Sequence, residues 1–377
     1  MDTRRQQSPQ NSGLPVSNTN GITLYFEGDV LYQGMIESIN GARRRVWLES
    51  YIFAEDEVGR RFASALSEAV DRGVDVRLHL DAAGSLFEAG RGFLAQLRRQ
   101  GIPLRRFHRW SWRDPFRYNR RNHCKLLIID DSQIYVGGFN IHRESAAAYS
   151  GEQSWRDSHA RIDSGHLVEQ AEILFDLFWS RRWRDPTRQS AAELARARLQ
   201  LVANRGPRQG HALRKLYRDA LDHARQCVRL TTPYFIPDPR TMLCLRRAAH
   251  RGVDVQLLLP GVTDQPLLQI VARRQYRLLV QAGVRIHEYR HRVLHAKTLT
   301  VDGEFAILGT ANFDYRSLFH NYELNLLARD DVVTQALDDQ FALDLDNAEV
   351  INEENLPEPG LFERLVGRLG WLVRRWL

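Results

Sequence analysis

Residues 123–142, HCKLLIIDDSQIYVGGFNIH, recur in kind at 295–314, HAKTLTVDGEFAILGTANFD. His123 aligns with His295, Lys125 with Lys297, Asp130 with Asp302, Gly137 with Gly309 and Asn140 with Asn312, at a constant displacement of 172 residues. An internal repeat of this kind sets the architecture first, because each copy must sit in one structural unit and the two units must share a plan. Each copy reads as a buried strand, a turn and a second strand. Alternate side chains of a strand share a face, so His295 and Lys297 point the same way, with Leu299 and Val301 continuing that face as packing. Two side-chain cations placed together call for an anion.

The repeat extends beyond the motif. VWLESYIF (46–53) answers VRLTTPYF (228–235), and AVDRGVDVRLHLDAAGS (69–85) answers AAHRGVDVQLLLPGVTD (248–264), with Gly73 and Gly252 where a helix C-cap precedes a strand. LRRQGIPLRRF (97–107) then matches LLVQAGVRIHEY (278–289). Each half reads strand, helix, strand, helix, strand, motif strands and closing helix. The expected fold is α/β: two duplicated α-β-α lobes with mixed β-sheets, related by a pseudo-twofold axis, with one active site at the lobe interface. The expected division is a disordered tail at 1–19, a first lobe at 20–185, a linker at 186–197, a second lobe at 198–352 and an amphipathic C-terminal segment at 353–377.

Composition sharpens the motif. Of 53 basic residues only Lys125, Lys215 and Lys297 are lysines, so two of the three lysines fall in the repeats. Lysine is a compact point charge where arginine is a planar fork, and a chain that otherwise writes arginine keeps lysine where a small oxyanion is to be held. The net charge of +7 favours an acidic partner, either nucleic acid or an anionic membrane surface. Hydrophobic residues at 43% and charged residues at 26% describe a globular chain, and no apolar run approaches the roughly 20 residues that span a bilayer. The opening stretch has no apolar segment of the secretory-signal kind. Cys124, Cys227 and Cys244 make neither a disulfide framework nor zinc-like spacing, which suits a reducing compartment.

The displacement between halves is 182 at Gly101 and Gly283 but 172 at the histidines, so the first half carries ten extra residues before its motif. They lie in RRFHRWSWRDPFRYNRR (105–121). Arg109, Trp110, Trp112, Phe116, Arg120 and Arg121 there suit contact with membrane headgroups or stacking on single-stranded nucleic acid. At the other end, GLFERLVGRLGWLVRRWL sets Arg364, Arg368 and Arg375 against a stripe of Leu361, Leu365, Leu369, Leu372 and Trp376. With Trp371 and Arg374, it has the composition of an interfacial helix.

The twice-occurring H-x-K-x(4)-D-x(6)-G-[GT]-x-N resembles the phospholipase D superfamily. WRDSHARI (155–162), TPYFIP (232–237) and NFDYRSLFHNYELN (312–325) are similar to bacterial cardiolipin synthases. The resemblance implies that His123 attacks phosphorus and that His295 is the acid and base. It also implies that Asp157 and Glu323, 34 and 28 residues after the two histidines, are supporting carboxylates. A histidine needs an acceptor on its second nitrogen, and Glu323 is expected on His123 and Asp157 on His295, across the interface. The chemistry follows from the residue types: a neutral imidazole as nucleophile, a protonated one for the leaving oxygen, and Lys125, Lys297, Asn140 and Asn312 on the non-bridging oxygens. It calls for no cofactor and no metal.

Asp130 and Asp302 read as structural groups bonding local backbone after the strand. Gly137, Gly138 and Gly309 permit close backbone approach, and Thr310 supplies a hydroxyl where its counterpart is Gly138. The resemblance implies a phosphatidyltransferase that takes phosphatidylglycerol as its phospholipid substrate at the cytoplasmic face of the bacterial membrane. The rivals are a nucleic-acid phosphodiesterase, a phospholipid hydrolase and a non-catalytic membrane-binding protein; lipid ranks ahead of nucleic acid.

Overall fold

In the computed structural model, residues 16–17, 21–107, 120–180, 197–205, 211–356 and 367 are described. The first sheet uses β1 (Val16–Ser17), β2 (Ile22–Tyr25), β3 (Arg45–Ser50), β4 (Asp75–Asp81), β5 (Leu104–Phe107), β6 (Leu126–Ile129), β7 (Gln133–Gly137) and β8 (His159–Ile162). The next strands in the chain are β9 (Leu199–Arg205), β10 (Cys227–Thr231), β11 (Phe235–Ile236), β12 (Asp254–Pro260), β13 (Arg285–Tyr289), β14 (Thr298–Val301), β15 (Phe305–Gly309), β16 (Phe313–Asp314), β17 (Tyr322–Ala328) and β18 (Ala348–Ile351). The first sheet runs β1-β2-β8-β7-β6-β3-β4-β5, and the second runs β18-β13-β12-β10-β14-β15-β17-β9. Read in opposite directions the two orders coincide, apart from an extra edge strand each. Strands β3, β4 and β5 are parallel, as are β10, β12 and β13. The motif strands add on antiparallel to β3 and β10. The two-lobed α/β plan is therefore present.

Gly73 and Gly252 take φ of 80° and 87° after the helices Glu57–Asp71 and Pro239–His250, a conformation costly for side-chain-bearing residues. Within the expected tail, Val16–Ser17 pair with β2; the rest of that tail lies outside the described residues. So do the linker up to residue 196, the insertion between 108 and 119 with Arg109, Trp110, Trp112 and Phe116, and the C-terminal segment beyond residue 356 apart from residue 367, with Trp371, Arg374 and Trp376.

Each lobe has its own apolar core, and a third cluster joins the two sheets. Ile128, Val136, Ala160 and Ile162 from the first meet Leu201, Ala306, Leu308, Leu324 and Leu326 from the second. Reciprocal backbone contacts mark the pseudo-twofold relation: Asn122 bridges Tyr322, and Leu294 bridges Arg156. His123 N–H donates to the Tyr322 carbonyl at 2.9 Å, and His295 N–H to that of Arg156 at 2.7 Å. A two-fold interface repeats each contact with the partners exchanged.

Candidate active site

Those bridges place each histidine beside the chain segment that carries a carboxylate of the other lobe. Asp157 and Glu323 occupy equivalent positions, each two residues before the partner of a motif glycine, since Gly137 pairs with His159 and Gly309 with Asn325. His123 Nδ1 lies 3.0 Å from Glu323 Oε2 and 3.0 Å from the Thr310 carbonyl. His295 Nδ1 lies 2.6 Å from Asp157 Oδ2. Both contacts cross the interface. With each Nδ1 engaged by an acceptor, Nε2 is the nitrogen left to meet a ligand.

The lysines immediately precede β6 and β14, two residues beyond the histidines. Lys125 Nζ donates to the His123 carbonyl at 2.9 Å, and Lys297 donates to the His295 carbonyl and lies 3.4 Å from Asp157 Oδ2. Burial, reinforced by the nearby Lys297 ammonium, drops Lys125 to about 7. Burial, and then Lys297, takes His295 down to about 4; burial also lowers His123 against the pull of Glu323. Burial alone would raise Asp157, yet Lys297 and His295 hold it at about 2, and Glu323 is lowered in the same way by His123. The pocket therefore holds crowded cations and ionised carboxylates facing neutral imidazoles, an arrangement that an added anion relieves.

Asn140 Oδ1 accepts from Ile52 N–H at 3.2 Å, leaving its NH2 as the group to offer a ligand, and Asn312 Oδ1 is buried without a partner among the described residues. The Gly138–Thr310 difference has a steric origin. A Cβ on Gly138 would lie 2.5 Å from the Asp157 carboxylate carbon, whereas the Thr310 hydroxyl donates to Glu323 Oε2 at 2.6 Å. One lobe has a shorter acid over a glycine, and the other a longer acid tethered by threonine.

Asp130 and Asp302 differ from expectation in the backbone they bond. Both adopt left-handed φ, 50° and 55°. They accept from the N–H groups of Arg43, Arg44 and Arg45 and of Arg225, Gln226 and Cys227. Antiparallel pairing sets Ile129 beside Val46 and Val301 beside Val228, so the end of the motif strand abuts a loop far off in sequence. Arg121 also departs from its expected role as a headgroup contact. It is 2% exposed and ion-paired with the wholly buried Asp81 at 3.2 Å, because a guanidinium carried into the core needs a partner charge. Arg120 is exposed.

Sequence reasoning missed the aromatic walls. Tyr51 lies edge-on to His123 at 5.0 Å, Trp155 lies 5.1 Å from His295, and Tyr234 lies edge-on to His295 at 6.4 Å. Tyr51 and Tyr234 follow β3 and β10 in the ESYIF and TTPYF stretches; the repeat sets them one position apart, Tyr51 against Pro233 and Ile52 against Tyr234, so the only signal was a tyrosine in each stretch.

Two imidazoles from separate lobes, each oriented by a carboxylate of the other lobe and flanked by lysine, define a phosphoryl-handling enzyme of two-lobed design. The chain belongs to the family described as "Cardiolipin synthase, PLD-like domain", which matches residues 35–179 and 217–345. It is 30% identical to a cardiolipin synthase of Clostridium perfringens, covering 94% of this chain and 76% of that protein. It is 31% identical to cardiolipin synthase A of Pseudomonas fluorescens, covering 97% and 77%. Among solved structures, phosphatidylserine synthase of Haemophilus influenzae aligns with a TM-score of 0.76 at 15% identity over 97% of each chain. Polyphosphate kinase of Porphyromonas gingivalis aligns with a TM-score of 0.62 at 17% identity, over 94% of this chain and 53% of that one. Both structural likenesses concern the fold.

Proposed function

We propose that this protein is a phosphatidyltransferase of the cardiolipin synthase type, moving a phosphatidyl group from phosphatidylglycerol to a lipid alcohol through a phosphohistidine. The observation that carries the reading is the reciprocal pairing of His123 with Glu323 and His295 with Asp157. It leaves two Nε2 atoms to face one phosphorus. His123 Nε2 forms the P–N bond as the P–O bond to glycerol breaks, and the departing oxygen takes its proton from His295. In the second step the acceptor hydroxyl gives its proton to His295 and forms the new P–O bond, and the P–N bond breaks. An empty site keeps His123 neutral and nucleophilic. The bound phosphodiester supplies negative charge that draws a proton onto His295. Lys125, Lys297, Asn140 and Asn312 hold the non-bridging oxygens and stabilise charge in the transition state.

The location is peripheral, on the cytoplasmic face of an anionic membrane. The family membership and the relatives' names support the lipid substrate, and among the described residues no helix is long and apolar enough to cross a membrane. The test is to supply the purified protein with phosphatidylglycerol vesicles and to identify products by mass spectrometry. Cardiolipin with released glycerol is expected, and His123→Ala should abolish both. Phosphatidic acid as the only product would make the protein a hydrolase and refute transfer.

A further inference from the structure

An acidic side chain beside the phosphate pocket is unaccounted for by the two-histidine chemistry. Asp264 lies in the loop between β12 and the helix Pro266–Arg273, exposed to solvent. Tyr234 Oη donates to Asp264 Oδ2 at 2.6 Å, and the same tyrosine ring stands edge-on to His295 at 6.4 Å. The Asp264 charge reaches both His295 and Lys297. A carboxylate so near an anion site repels the phosphodiester, which is a cost unless it accepts hydrogen bonds from something neutral.

The repeat-equivalent positions of the first lobe carry no such pair. Ser85 stands where Asp264 does in the repeat, and its hydroxyl is turned to the Tyr51 carbonyl at 3.1 Å; Ile52 stands where Tyr234 does. The acceptor pair therefore belongs to the His295 side. In an in-line displacement by His123, that is the side from which the first alcohol leaves and the second enters.

We propose that Asp264, held by Tyr234, is a polyol subsite that takes a neighbouring free hydroxyl of the glycerol headgroup, both of the leaving glycerol and of the incoming lipid alcohol. This rests on the phosphatidyltransferase reading. An oxygen acceptor here selects alcohols bearing a second hydroxyl close to the reacting one, because a site built to bind a hydroxyl rejects the analogue lacking it. Asp264 positions the alcohol and takes no part in bond making, so the first step from a donor without glycerol does not need it.

The test uses the full chain and the p-nitrophenyl ester of phosphatidic acid as donor, with glycerol and 1-propanol competing as acceptors. Nitrophenol release reads the first step, and mass spectrometry reads the ratio of phosphatidylglycerol to phosphatidylpropanol. The wild type should favour glycerol by about tenfold or more. Asp264→Asn and Asp264→Ala should remove most of that preference with nitrophenol release within about threefold of wild type, and Tyr234→Phe should weaken it in part. Unchanged preference in both Asp264 variants, equal losses with both alcohols, or no preference in the wild type would each overturn the subsite while leaving transfer standing. Failure of the wild type to transfer to any alcohol would overturn the function as well.

Discussion

The packing at Gly138 turns a small substitution into a test of the whole site. Gly138→Ala would set a methyl hard against Asp157 Oδ1, its nearest contact, and 2.5 Å from Cγ and 2.6 Å from Oδ2. Apolar contacts settle at about 3.5 Å, so the carboxylate must retreat by roughly 1 Å. Asp157 has little room, being held by Ser158 N–H at 2.8 Å and His295 Nδ1 at 2.6 Å. Retreat stretches the contact to His295 past hydrogen-bond length and leaves a buried carboxylate short of its partner, a change that costs about 3–5 kcal/mol when complete. Loss of the orienting acid behind a catalytic imidazole lowers turnover by about 10²–10⁴-fold. Thr310→Ala, at the equivalent position, adds no bulk but removes the hydroxyl that donates to Glu323 and accepts from Leu324 N–H at 2.9 Å, so about 1–3 kcal/mol is expected. Urea denaturation and product formation from phosphatidylglycerol would be followed for both variants. A Gly138→Ala protein within about 1 kcal/mol of wild type and within about threefold of its activity would refute the claim that Asp157 is sterically locked onto His295.

Three further outcomes follow from the geometry. Alkaline quenching during turnover, under which a P–N bond to histidine survives, should trap the phosphatidyl group on His123, identified by peptide mass spectrometry; an adduct on His295 would exchange the two roles. His123 retains the Thr310 carbonyl when Glu323 is neutralised, so Glu323→Gln should cost about tenfold less in kcat than Asp157→Asn. Stability should fall in acid: burial lowers His159 to about 3, so only the unfolded chain takes up that proton between about pH 6.5 and 3, and stability present above about pH 6.5 is lost as pH falls. His159 alone accounts for about 2 kcal/mol at pH 5, and His159→Asn, copying Asn325, should flatten the denaturation midpoint against pH.

What could be read in the sequence was whatever the duplication wrote twice. The histidines and lysines sat at matched positions, and the strand order followed from matched apolar runs, whereas the supporting acids, 34 and 28 residues after their histidines, came from the family resemblance. What could not be read depends on pairs that close across space. Asp130 reaches Arg43–Arg45 only because β6 ends beside the start of β3, a register no local pattern encodes. The steric reason for glycine at 138 required knowing that Asp157 from β8's leading edge fills the space above it. Arg121 misled because a basic residue in an Arg- and Trp-rich stretch reads as surface, while its partner Asp81 lies 40 residues earlier.

The lobes diverge where the repeat is no longer under a shared chemical demand. Behind His123, Glu49 Oε1 is met by His79 Nδ1 at 2.7 Å and Asn122 Nδ2 at 2.5 Å, and Asp81 takes Asn122 N–H at 2.8 Å. The matching second-lobe positions are Thr231, Leu258, Leu294 and Pro260, and Leu258 and Leu294 join an apolar cluster with Tyr289, Ala296 and Phe341. A buried polar network is retained only when its members satisfy one another, and it fixes orientation more than it adds stability. This network restrains the strand that leads to His123 at positions whose second-lobe counterparts are apolar or Thr231, whereas behind His295 the polar restraint comes from Arg156, ion-paired with the buried Asp344 at 2.8 Å. In the proposed mechanism the Glu49–His79–Asn122 network thus stands behind the imidazole that holds the phosphatidyl group while one alcohol leaves and another arrives.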